Sequence, residues 1–104
     1  MSVEETEKAN PARFLEASGT YNQNFWGTKL KVRGTIKNNA TVANFKDVVV
    51  KATFLSQTET ELGSQEYVIY DYFTANSTKQ FELKIERPEA CQKLRWEAIS
   101  ATPN

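Results

Sequence analysis

Hydrophobic and polar residues alternate along several segments of this chain, most regularly between residues 28 and 39. Leu30, Val32 and Ile36 fall on one parity there, and lysine or arginine residues occupy most of the other. Because successive side chains of a strand point to opposite faces, this pattern predicts a β-strand with one buried and one solvated face. The same alternation returns between residues 79 and 86.

Six segments are predicted to be strands: residues 12–21, 28–39, 45–57, 64–72, 79–86 and 92–101. The first two read as a hairpin, and the loop up to residue 44 is long enough to cross between sheets. Residues 48–50 are all valine, so the third strand is predicted to be central and covered on both faces. Gly19 is predicted to mark a bulge. No segment shows a convincing helical pattern.

Strands at roughly ten-residue spacing are typical of an immunoglobulin-like sandwich, with a small barrel as the competing architecture. We therefore predict an all-β fold, an immunoglobulin-like antiparallel β-sandwich of six to seven strands. Residues 12–101 form its single domain, residues 1–11 a flexible leader and residues 102–104 a tail. The residues predicted to join the two layers are Leu30, Val32, Val48, Val50, Phe81, Leu83 and Trp96.

Composition and charge make several classes of function improbable. The 104 residues carry 13 basic and 13 acidic side chains, so no net charge draws nucleic acid or an anionic membrane. Histidine is absent, which removes the usual general base and zinc ligand. Cys91 is the single cysteine and cannot form an intramolecular disulfide. We expect no enzymatic activity, no metal and no cofactor.

Candidate catalytic groups are few. A carboxylate pair could flank a glycosidic bond only if burial raised the pKa of one member. The acids near turns lie in segments predicted to be exposed, which favours solvated side chains: Glu59, Glu61, Asp71, Glu86 and Glu89. Cys91 has no histidine to activate its thiol and is predicted to be a partly buried structural residue.

Several short runs carry a family resemblance. They are GTIKNN at 34–39, FKDVVV at 45–50, LG at 62–63, YVIYDY at 67–72, NS at 76–77 and FEL at 81–83. Together they resemble the FxLYD-type domains of bacterial envelope proteins over roughly residues 28 to 86. The family's usual proline-glycine turn is Ala75-Asn76 here. The resemblance implies an immunoglobulin-like sandwich, often attached to a cell envelope, and it brings no catalytic residues.

Aromatic residues are dense between residues 67 and 73. Tyr70 and Tyr72 share a parity that we predict to face outward, where they would present an adhesive patch to a protein or glycan partner. Phe25 and Trp26, at the tip of the predicted first hairpin, form a second candidate contact. We expect the function to be that of a non-enzymatic interaction or structural module.

A single-stranded nucleic-acid binder of the OB type is the alternative. Lys29, Lys31 and Arg33 line the outer face of one predicted strand, and Phe25 and Trp26 precede them, which combines cations with stacking rings. Because the overall charge is balanced, we expect no nucleic-acid partner. Ion pairs across strands are predicted instead, with Glu66, Glu82 and Glu86.

The first eleven residues are polar and lack the apolar core of a signal peptide. We expect no membrane insertion by this chain and a possible anchor outside it. The expected location is the cell envelope or the extracellular space, or the cytoplasm if Met1 is the natural start.

Overall fold

The computed structural model of this chain describes residues 2–21, 29–86 and 90–104. Its elements in chain order are α1 (Val3–Ala9), α2 (Pro11–Phe14), β1 (Leu15–Tyr21), β2 (Lys29–Asn38), β3 (Phe45–Leu55), β4 (Glu61–Phe73), β5 (Thr78–Glu86) and β6 (Lys93–Pro103). Each of the six predicted strands is present, with ends shifted by a few residues. The all-β class is therefore confirmed.

The strands form two antiparallel sheets, ordered β1-β2-β5 and β4-β3-β6. Residues 39–44 carry the chain from one sheet to the other, as their length predicts. β3 is the central strand of its sheet, which agrees with its valine run. The barrel alternative is wrong for the described strands, because they pair in two separate sheets with no ladder joining them.

The core lies between the two sheets and is built from alternating residues of each. Its largest apolar side chains that are fully enclosed are those of Val32, Ile36, Phe45, Val48, Val50 and Phe73. Of the residues predicted to join the layers, Phe81 is also buried, and Leu83 and Trp96 pack against the core while partly exposed. The side chain of Leu30 lies outside what the structure describes.

Two glycines on neighbouring strands make room for this packing. Gly19 of β1 lies opposite Gly34 of β2 in a continuous register, so the predicted bulge at Gly19 is wrong. A Cβ on Gly19 would lie 2.7 Å from Nε1 of Trp96, and one on Gly34 would collide with the ring of Phe81. Trp96 and Phe81 pack edge to face, with ring centres 5.9 Å apart. Gly19 therefore serves close packing between the sheets.

The two short helices are absent from the sequence-based prediction. Ser2 caps α1, since its hydroxyl accepts a hydrogen bond from the Glu5 amide at 3.1 Å, and Pro11 opens α2. Residues 3–9, within the predicted flexible leader, are thus helical. At the other end, β6 includes two of the three residues predicted to form the tail.

Candidate functional site

β4 is an edge strand with two faces of opposite character. Phe73 on the inner face is buried, and Ile69 packs against the core. On the outer face, Val68, Tyr70 and Tyr72 expose 37%, 81% and 61% of their surface. The predicted outward parity of the two tyrosines is confirmed, because one face of the strand is taken up by the core and the next side chain must point away.

A shallow groove of about 280 Å³ runs beside the two tyrosines. Its other lining residues are Lys46, Asp47 and Asp71. Asp47 has a φ of 52°, and the pairing of β3 with β4 shifts register at this residue. The ladder is therefore interrupted next to Tyr70 and Tyr72, and charged side chains stand beside exposed aromatic rings.

Lys79 of β5 binds two of the residues that line this groove. Its ammonium donates hydrogen bonds to Oδ1 of Asp71 at 2.7 Å and to the carbonyl of Tyr72 at 3.0 Å. The Tyr72 amide donates to the same Asp71 oxygen at 2.8 Å. The hydrogen bond from Lys79, followed by the one from the Tyr72 amide, lowers the pKa of Asp71. Asp71 therefore stays ionised, whereas a general acid requires a raised pKa.

The outer face of the sheet β1-β2-β5 is polar and internally paired. Glu82 binds Lys31 at 3.1 Å and Arg33 at 3.5 Å, which confirms the predicted ion pairs across strands for this residue. The hydrogen bond from Lys31 lowers the pKa of Glu82. Nearby, the hydroxyls of Ser18 and Thr35 lie 3.0 Å apart. Where its side chains are described, this face offers few apolar contacts to a partner.

The two other acids predicted to pair with these cations lie in different places. Glu86 of β5 is opposite Lys29 of β2 in the strand register, and their ion pair stays a prediction because the side chain of Lys29 lies outside what the structure describes. Glu66 belongs to β4 and lies opposite Lys51 of β3 in the other sheet. Its predicted pairing with the β2 cations is wrong, because the chain crosses between sheets after β2.

Among the described residues, the candidate acids Asp71 and Glu86 lie far apart. Glu59 forms an exposed ion pair with Lys93 at 3.5 Å. Asp71 of β4 binds Lys79 of β5. Glu86 lies seven residues beyond Lys79 on β5, roughly 23 Å from it at the usual rise of a strand. Within the described ranges, no three His, Cys, Asp or Glu side chains are close enough to hold a metal ion.

Three of the named candidates, Phe25, Trp26 and Glu89, lie outside the described residues. Cys91 is buried, and its Sγ lies 3.3 Å from the carbonyl of Lys93. The predicted burial of this thiol is confirmed.

A second polar site, which the sequence analysis missed, surrounds Glu7 of α1. Oε2 of this buried carboxylate accepts hydrogen bonds from the amide of Thr41 at 2.7 Å and from its hydroxyl at 3.0 Å. Oε1 accepts from the amides of Val42 at 2.9 Å and Ala43 at 3.0 Å. The amide of Thr41 contributes most, and the four bonds together outweigh burial and lower the pKa of Glu7 to about 2.

Asn38 shapes the loop that presents these donors. It is fully buried, and its Nδ2 donates to the carbonyls of Ala43 and Phe73, both at 3.1 Å. Its Oδ1 accepts from the amide of Ala40 at 3.0 Å. One amide side chain thus bridges the start and end of the loop and ties it to the last residue of β4.

No helix in the described part of the chain is long and apolar enough to cross a membrane. Comparison with protein-family models, with curated proteins and with solved structures gives no match to this chain. The resemblance to FxLYD-type domains therefore stays a prediction based on the short runs quoted above.

Proposed function

We propose that this chain is a non-enzymatic binding module with an immunoglobulin-like fold of the FxLYD type, belonging to a bacterial envelope or secreted protein. Its partner, a protein or a glycan, is held on the outer face of β4. The observation that carries the proposal is the exposure of Tyr70 and Tyr72, 81% and 61%, side by side on one face of an edge strand.

Aromatic rings of this kind favour binding for a physical reason. A tyrosine ring has a large apolar area and few rotatable bonds, so covering it releases water at a small entropic cost. Tyrosines are accordingly enriched among the residues that dominate binding energy at interfaces. Lys46, Asp47 and Asp71 add charged groups along the adjacent groove, where they can orient a polar ligand.

The contact is assigned to the face of β4 and not to its open edge. An edge strand can add a partner strand through its unpaired carbonyls and amides. At Tyr72, however, the carbonyl already accepts a hydrogen bond from Lys79. A partner strand would have to displace this ammonium, whereas a ligand that covers the two rings leaves it in place.

The test uses the variant Tyr70→Ser/Tyr72→Ser beside the matched control Gln80→Ser/Lys84→Ser, which alters exposed residues on the other sheet. A displayed peptide library and a glycan array are screened with the unaltered chain. Ligands found there should bind the tyrosine variant at least about tenfold more weakly and the control equally well. Equal binding to both variants, or no ligand in either screen, would refute the proposal.

A separate measurement tests binding of nucleic acid. Because Glu82 pairs with Lys31 and Arg33 and the whole chain carries no net charge, a mixed single-stranded oligonucleotide should give no change in fluorescence anisotropy. Binding that weakens steeply with salt and is lost when Lys31 and Arg33 are replaced would favour the nucleic-acid alternative over the tyrosine surface.

A further inference from the structure

α1 is attached to the rest of the protein mainly through one side chain. Glu7 is its only buried residue, with 3% of its surface exposed, whereas Val3 exposes 61%. Helices shorter than about 12 residues are marginal in water without tertiary contacts, and α1 has seven residues. The position of α1 therefore depends on the hydrogen bonds of the Glu7 carboxylate.

The loop that holds Glu7 is also fixed by contacts outside α1. Three consecutive amides, those of Thr41, Val42 and Ala43, converge on the two carboxylate oxygens together with the Thr41 hydroxyl. Converging backbone amides of this kind form concave sites for anions. Asn38 sets the shape of the loop through contacts that involve no atom of α1.

We propose that residues 41–43 form a carboxylate receptor, that Glu7 is its built-in ligand, and that α1 is a latch which the carboxylate of an acidic peptide can replace. That carboxylate comes either from α1 of a second copy of this chain or from another protein. The receptor lies in the loop between β2 and β3, and its operation does not depend on the tyrosine surface of β4.

The first experiment vacates the receptor in the full chain with Glu7→Ala. Sodium acetate is titrated into this variant and into the unaltered chain while the amide resonances of Thr41, Val42 and Ala43 are followed. Acetamide, which has the same shape without the charge, is the control ligand. Acetate should shift the three resonances of the variant in a saturable way and leave the unaltered chain unchanged. Equal responses of both chains, or of the variant to acetate and acetamide, would overturn the proposal.

A second experiment distinguishes the two sources of the carboxylate. A peptide with the sequence of residues 2–10 is added to the Glu7→Ala chain, next to its own Glu7→Gln version and an unrelated acidic peptide. Binding of the first peptide alone assigns the receptor to a second copy of α1. Binding of both acidic peptides assigns it to acidic segments in general. If neither peptide binds, the latch cannot be exchanged and the proposal fails.

Hydrogen exchange of the unaltered chain keeps the proposal testable if Glu7→Ala does not fold. Release of the latch is a local opening that exposes little surface, so exchange at residues 41–43 should depend only weakly on urea. Core amides of β3 should exchange through global unfolding, with a steep dependence. An equally steep dependence at residues 41–43 would show that α1 leaves only when the whole domain unfolds, and would overturn the latch.

Discussion

Replacing Gly19 by alanine tests the packing of the two sheets most directly. The new Cβ would lie 2.7 Å from Nε1, 2.9 Å from Cδ1 and 3.1 Å from Cε2 of Trp96. All three atoms belong to one indole ring, which is confined by its edge-to-face contact with Phe81. Moving that ring disturbs the core, and overpacking of this kind costs about 1–3 kcal/mol.

Alanine also brings a gain that partly offsets this loss. It restricts the unfolded chain more than glycine does, which stabilises a protein by about 0.4–1 kcal/mol where the native backbone accepts it. Gly19 lies in a regular strand register, so its backbone suits alanine. The net expectation for Gly19→Ala is a loss of about 1–2 kcal/mol in the free energy of unfolding, from the overpacking and restriction effects combined.

The same substitution should change sign when the indole is absent. In a Trp96→Leu background the new Cβ at position 19 occupies space that the indole ring has left. The overpacking cost then disappears, and only the restriction of the unfolded chain by alanine remains. Gly19→Ala should then stabilise by about 0.4–1 kcal/mol. The substitution Trp96→Leu removes no hydrogen bond to a described residue, because Nε1 of Trp96 is buried without an acceptor among them. Its own cost is a packing loss of about 2–4 kcal/mol.

Urea unfolding followed by far-ultraviolet circular dichroism measures all four chains without relying on the fluorescence of Trp96. With a slope of about 2 kcal/mol per molar urea, Gly19→Ala should lower the midpoint by about 0.5–1 M in the unaltered background. In the Trp96→Leu background it should raise the midpoint. An equal loss in both backgrounds, or no loss in the first, would refute the close approach of Gly19 and Trp96.

Three further predictions concern polar groups and the tyrosines. The pKa of Glu7 is about 2 in the folded chain, against an ordinary value of 4.5 that applies when the chain is unfolded. The stabilisation by this carboxylate is therefore complete above about pH 4.5 and is lost as the pH falls towards 2. Glu7→Gln should reduce proton uptake on unfolding in this window by about one proton. Asn38→Ala should cost at least about 2 kcal/mol in urea unfolding, since it removes the side-chain partner of buried backbone groups in the β2–β3 loop and at the end of β4. Tyr70→Ser and Tyr72→Ser should each change stability by less than about 0.5 kcal/mol, and a larger loss would show that the rings support the fold.

The strands and the orientation of their side chains were predictable because both depend on short-range alternation. Burial of Val32 and Ile36 dictates that Arg33 between them points outward, and burial of Phe73 does the same for Tyr72. The tyrosine surface could therefore be placed from the sequence. A signal for α1 was also present and was overlooked: Ser2 is followed three residues later by Glu5, the spacing of a helix start.

The receptor for Glu7 could not be found in this way, because no local pattern connects a carboxylate with amides 34 to 36 residues further along the chain. Backbone amides also carry no residue code that a sequence displays. For the same reason Glu66 was assigned to the wrong sheet, since parity describes the face of a strand but not its neighbour.

By itself, the sequence determined that this chain forms six strands with defined inner and outer faces, since alternation is a property of adjacent residues. The tertiary structure alone decided which strands are neighbours, why position 19 has no room for a side chain and where Glu7 is bound. These features depend on contacts between residues far apart in the chain, and such contacts arise only when the two sheets pack and the loop between them closes.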